Sequence, residues 1–159
     1  MIRRPSTGRF LVALVAAAIA APAFFTLSLR VLLNPNGIFA HDFWSKTLGF
    51  SMLTVGFGGL GAFIILGVCY RVVLGQKTLH EADIFFASFI AALVHSVIGF
   101  ILAGLNAGAG MLLGFFFEFA ALTDHRVSNY ALVFASKVIG GLAASILFLS
   151  ILQKAPLEE

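Results

Sequence analysis

YALVFASKVIGGLAASILFLSIL, Tyr130 to Leu152, is a 23-residue apolar stretch holding a single charge, Lys137. As an α-helix at ~1.5 Å per residue it reaches ~34 Å, enough to cross a ~30 Å hydrocarbon core. An ammonium group in hydrocarbon is expensive, so a lysine seven residues inside such a run needs a polar destination. The stretch therefore predicts helices in lipid that enclose something polar between them.

Working outward, the preceding run GAGMLLGFFFEFAAL (Gly108 to Leu122) carries the other charge found within the apolar runs, Glu118. Three more runs lie upstream: Phe10 to Leu29 (20 residues), Leu48 to Tyr70 (23) and Ile84 to Leu105 (22). Four of the five runs have spanning length. The 15 residues of Gly108 to Leu122 reach only ~22 Å, and Asn106 to Gly110 join them to the third run as a tight turn. The expectation is an all-α polytopic bundle of five transmembrane helices in one membrane domain, residues 1–159. The alternative is four spans with 108–122 re-entrant.

Composition fits this class. Of 159 residues, 60% are hydrophobic and 11% charged, against about a quarter charged in soluble domains. Mean hydropathy is +1.05. The longest stretch between runs, Arg30 to Thr47, is 18 residues, too short for a water-soluble domain. The net charge of +3 forms no basic stripe, so no nucleic-acid partner is expected. Cys69 is the lone cysteine and has no internal disulfide partner.

Arg3, Arg4 and Arg9 ahead of the first run, with Ala21-Pro22-Ala23 inside it, have the outline of a secretory signal. The run continues through Phe24, Phe25 and Leu29, and this length makes it a retained first span. Lysine and arginine fall six against three between the two faces in both topologies, with the N-terminus inside. This predicts a multi-pass protein of a cell inner membrane with a cytoplasmic N-terminus. Trp44, Tyr70 and Tyr130 at the run ends read as interfacial aromatics.

Three intramembrane residues carry the candidate chemistry: His95, Glu118 and Lys137. At helical spacing each shares its face with small residues: Ser88, Ala91, Ala92, Gly99 and Ala103 with His95; Gly110, Gly114 and Ala121 with Glu118; Gly140, Gly141, Ala144 and Ser145 with Lys137. Small residues mark close helix approach in lipid, so Gly99, Gly110, Gly114, Gly140 and Gly141 are the expected packing positions. Glu118 and Lys137, at similar depth on either side of one loop, are expected to pair, and His95 to bond to Ser88, Ser96 or a backbone carbonyl. Gly56 to Gly61 matches a dinucleotide fingerprint without the strand-turn-helix unit that gives the fingerprint meaning. No nucleophile, base and orienter set appears, no metal-ligand spacing and no cofactor motif. The sequence reads first as a non-catalytic subunit or assembly factor of a larger membrane complex, with a membrane protein partner or a homo-oligomer implied. The alternatives are a small oligomeric transporter or channel using Glu118, Lys137 and His95, and a membrane haem or redox protein ligated through His95.

Overall fold

The computed structural model describes residues 5–75, 80–104 and 127–153, with side-chain placement excepted at 57, 99, 100, 102–104 and 127–130. Among the described residues every regular element is helical: α1 (Thr7–Leu33), a 3-10 turn (Pro35–Phe39), α2 (Phe43–Leu74), α3 (Glu81–Gly104) and α4 (Val127–Gln153). Each helix overruns its apolar run by a few residues at one or both ends. The polar flanks close the helix ends. Ser6 Oγ accepts from the Arg9 amide at 3.4 Å and starts α1. The Asp83 carboxylate accepts from the His80 amide at 2.8 Å and starts α3. Arg30, in the last turn of α1, sits at the negative end of the helix dipole. Helix α1 continues through Pro22, where Thr26 Oγ1 lies 3.0 Å from the Pro22 carbonyl.

Among the described residues three helices are long and apolar enough to cross a membrane, Thr7–Leu33, Glu81–Ile98 and Ala131–Gln153; α2 makes a fourth if its two halves, Phe43–Gly56 and Gly58–Leu74, count as one span bent by 57°. The bend falls among Gly56, Gly58, Gly59 and Gly61, where missing Cβ atoms leave the backbone soft.

Neighbouring helices run antiparallel in a closed ring. α1 meets α2 through Thr26–Thr54 and Leu14–Gly67, and α2 meets α3 through Tyr70–Ser88. α3 meets α4 through Ser88–Ser145 and Glu81–Gln153. α4 returns to α1 through Phe148–Phe10 and Gly140–Ala21. The start of α1, the end of α2, the start of α3 and the end of α4 thus share one end of an up-down-up-down bundle. The core at that end is Phe10, Leu14, Tyr70, Ile84 and Phe148, all buried.

Of the five expected crossings, the described helices supply up to four candidate spans. Since α3 and α4 are antiparallel neighbours, α3 finishes and α4 begins at the same end. The expected span at 108–122 falls between them. Segment 105–126 itself lies outside the described residues.

Tyr70 is a correction. Read as an interfacial ring, it is 0% exposed, with its ring 4.3 Å from that of Phe148 and its hydroxyl 2.6 Å from Ser88 Oγ. The helix runs four residues past Tyr70, and the ring faces the interior of the bundle.

At the opposite end, Asp42 and Lys46 form an exposed i,i+4 ion pair at the start of α2. The hydrogen bond and charge of Lys46 hold the Asp42 carboxyl below its ordinary range. A lowered carboxylate adds stability above its unfolded value and loses it as pH falls through the folded one. Exposure confines the effect to the first turn of α2. Asp42→Asn should abolish the acid-induced rise in amide exchange there while leaving the thermal midpoint unchanged.

Candidate functional site

The four helices line a cavity of about 70 Å³. Its walls are small and apolar side chains from all four helices, with polar groups from three of them: Thr54 of α2, Ser88 and His95 of α3, and Lys137 of α4. One water needs roughly 10–15 Å³ by this kind of measure, so the space takes a few water-sized groups.

Depth explains why these residues meet. His95 is nine residues before the end of α3 and Lys137 ten residues after the start of α4, at the same end of the bundle. At the helical rise both lie ~14–15 Å below that end. Lys137 is 8% exposed and His95 half-buried. Both belong to interacting groups within the fold. The structure therefore brings two of the three expected polar residues to one cavity. Glu118, Gly110 and Gly114 lie outside the described residues, and Gly99 is placed on α3 without a description of its surroundings.

Consecutive glycines on α4 hold the walls together. Successive residues of a helix are ~100° apart, so Gly140 and Gly141 open two different faces. A Cβ at Gly140 would collide with the carbonyl oxygen of Ala21 and come within 3.2 Å of the Phe25 amide nitrogen on α1. A Cβ at Gly141 would lie 3.2 Å from the Ser88 carbonyl oxygen on α3. Lys137 is one turn away from this double crossing, which keeps its side chain among backbones rather than acyl chains.

Below the cavity lies a layer of hydroxyls. Ser88 Oγ is 2.6 Å from Tyr70 Oη and 2.5 Å from Ser145 Oγ, and Ser145 Oγ is 3.1 Å from the Gly141 carbonyl. All three side chains are at most 1% exposed. This layer ties α2, α3 and α4 together and meets the cavity through Ser88. Sequence reasoning placed Ser88 and Ser145 on interior faces but missed Tyr70 and Thr54. A usable signal for Thr54 is its i,i+4 spacing to Gly58 in an otherwise apolar helix. Tyr70→Phe should lower stability by ~1 kcal/mol, the usual worth of a hydrogen bond between membrane helices, read as a shift in the unfolding midpoint in detergent.

The hydroxyls of Ser96 and Ser136, sequence neighbours of His95 and Lys137, are buried without a hydrogen-bond partner among the described residues. Buried polar atoms are rarely left so. Among the described residues no group of three or more His, Cys, Asp or Glu side chains is arranged to hold a metal ion. His41 and His80 lie outside the long helices, so no second histidine stands on a described helix to complete a bis-histidine haem site.

No family model matches this chain, and neither the curated proteins nor the solved structures include a significant match.

Proposed function

We propose that the protein is a small membrane transporter or channel that holds a small ion or polar solute at the cavity between His95 and Lys137. One observation carries this reading: a lysine 8% exposed lines, together with a histidine, a cavity inside a ring of apolar helices. Ionisable groups in such positions are costly and characteristically mark solute or proton paths. Glu118 is the proposed charge partner of Lys137, on the sequence argument that lipid tolerates neither group alone.

The proposed setting is a cell inner membrane with four crossings. Both termini then face the cytoplasm, and six of the nine lysines and arginines near the helix ends or in the loops are cytoplasmic. The outer face is the one at which α1 ends and α2 begins.

A second reading, a non-catalytic subunit of a larger membrane complex, draws on the wide apolar faces of the ring. Met52, Val68, Val72 and Phe86 are each more than 60% exposed and suit another membrane protein or a second copy as well as lipid. A partner chain captured by crosslinking before detergent extraction would favour it.

The deciding experiment reconstitutes the purified protein into liposomes and measures proton, potassium and chloride flux under imposed gradients. At least one flux is expected to exceed that of empty liposomes and to vanish in Lys137→Met. Flux no greater than that of empty liposomes for all three ions would sink the transport reading.

A further inference from the structure

We propose that the outer half of α2, Phe43–Gly56, is a hinged door over the His95–Lys137 cavity, turning at Gly56–Gly58. This rests on the transport reading and specifies how the cavity is reached.

Burial divides α2 sharply at its bend. The inner half contributes Ala62, Ile65, Leu66, Tyr70 and Leu74 to the buried core, whereas the outer half has only Phe43 and Thr47 buried. A segment with few buried apolar contacts opens at lower free energy than the core it adjoins. The two halves already differ in direction by 57°.

The glycine at the bend is not explained by packing. A Cβ at Gly140 would strike the α1 backbone, but a Cβ at Gly56 would meet nothing within 4 Å. Glycine inside a helix is unfavourable relative to alanine, so a position with open space gains nothing from it except backbone freedom. Gly58, next along, lines the cavity.

The door adjoins the cavity and is lightly latched. Thr54, near the end of the outer half, lines the cavity together with Gly58, Ala62, Ile65 and Leu66 of the inner half. Thr54 Oγ1 is 2.9 Å from Thr26 Oγ1 on α1. The Arg30 guanidinium stands 5.2 Å from the ring centres of both Phe43 and Phe50. These contacts join the outer half of α2 to the outer third of α1 by one hydroxyl pair and one cation shared between two rings. Such contacts are individually weak and reform readily. The inner side, by contrast, is held by the buried Tyr70–Ser88–Ser145 layer, which reaches the cavity through Ser88. A cavity firmly tied on its inner side and lightly held at its outer wall opens outward.

Access is measured with a reporter cysteine, independently of flux. Ala92→Cys in a Cys69→Ala background places a thiol in the cavity wall, and an impermeant thiosulfonate reagent is applied from the outer face of native membranes. The Gly56→Ala, Gly58→Ala pair, which stiffens the bend, should slow labelling about tenfold. Thr54→Val should speed it severalfold, and Gly49→Ala, in the outer half but away from the bend, should leave it unchanged. Unfolding midpoints of all variants are measured alongside. Labelling that is absent, or equal across the set in folded protein, overturns the door. Labelling that follows this pattern in a protein without flux keeps the door and removes the transport reading.

Discussion

Gly140→Leu is expected to abolish the native bundle, giving aggregated or polydisperse protein in mild detergent where the parent is monodisperse. The position allows no side chain. Its Cβ would overlap the Ala21 carbonyl oxygen and press on the Ala21 carbonyl carbon and Phe25 amide nitrogen, each at 3.2 Å. These are backbone atoms of a long helix, which cannot turn aside as a side-chain end can. Overpacking a well-filled interior typically costs ~1–3 kcal/mol, and here α1 and α4 would have to separate along their most extensive contact, forfeiting the packing that holds membrane helices together. Gly140→Ala probes the same contact with one atom and should lower the unfolding midpoint by an amount in that range. Gly49→Ala is the control: its Cβ meets nothing within 4 Å, and relief of glycine's backbone entropy should leave the midpoint equal or slightly raised. Equal midpoints for Gly140→Ala and the parent would refute the close crossing.

The class of fold was open to reading from the sequence because lipid imposes simple rules. A run of apolar residues of spanning length has to form a helix, since its backbone groups find no water. Four such runs became α1 to α4. The helix ends were less legible, because α2 extends to Phe43 and Leu74 on residues whose hydropathy does not mark them as helical. That extension puts Tyr70 inside a helix rather than at its end, so its place at the edge of an apolar run does not mark an interfacial ring. The number of crossings was undecidable from charge, since both topologies gave the same six-to-three division. It took the antiparallel pairing of Ser88 with Ser145 and Glu81 with Gln153 to show at which end α4 begins. Helical spacing placed His95 and Lys137 on small-residue faces, but it could not say that both faces open onto one cavity. That depends on the ring order of four helices and on two adjacent glycines serving two different neighbours.

The double variant Glu118→Leu, Lys137→Leu is expected to fold about as well as the parent and to carry no flux, while Lys137→Leu alone should be the least stable of the three. Removing one member of a buried ion pair leaves the other charge without compensation, a loss of ~3–5 kcal/mol; replacing both with apolar residues of similar volume is often neutral or stabilising by ~1–4 kcal/mol. Stability should therefore fall and then recover along the series of parent, single and double variant. A pair kept only for packing would let activity recover with stability. A pair that meets the solute would not, because the double variant lacks the lysine charge that lines the cavity. The measurement pairs unfolding midpoints with liposome flux for the parent, Lys137→Leu, Glu118→Leu and the double variant, at matched protein-to-lipid ratio. Stability that does not recover in the double variant would refute the pairing of Glu118 with Lys137. Recovery of both stability and flux would leave the pair a packing device and move the site of function away from this cavity.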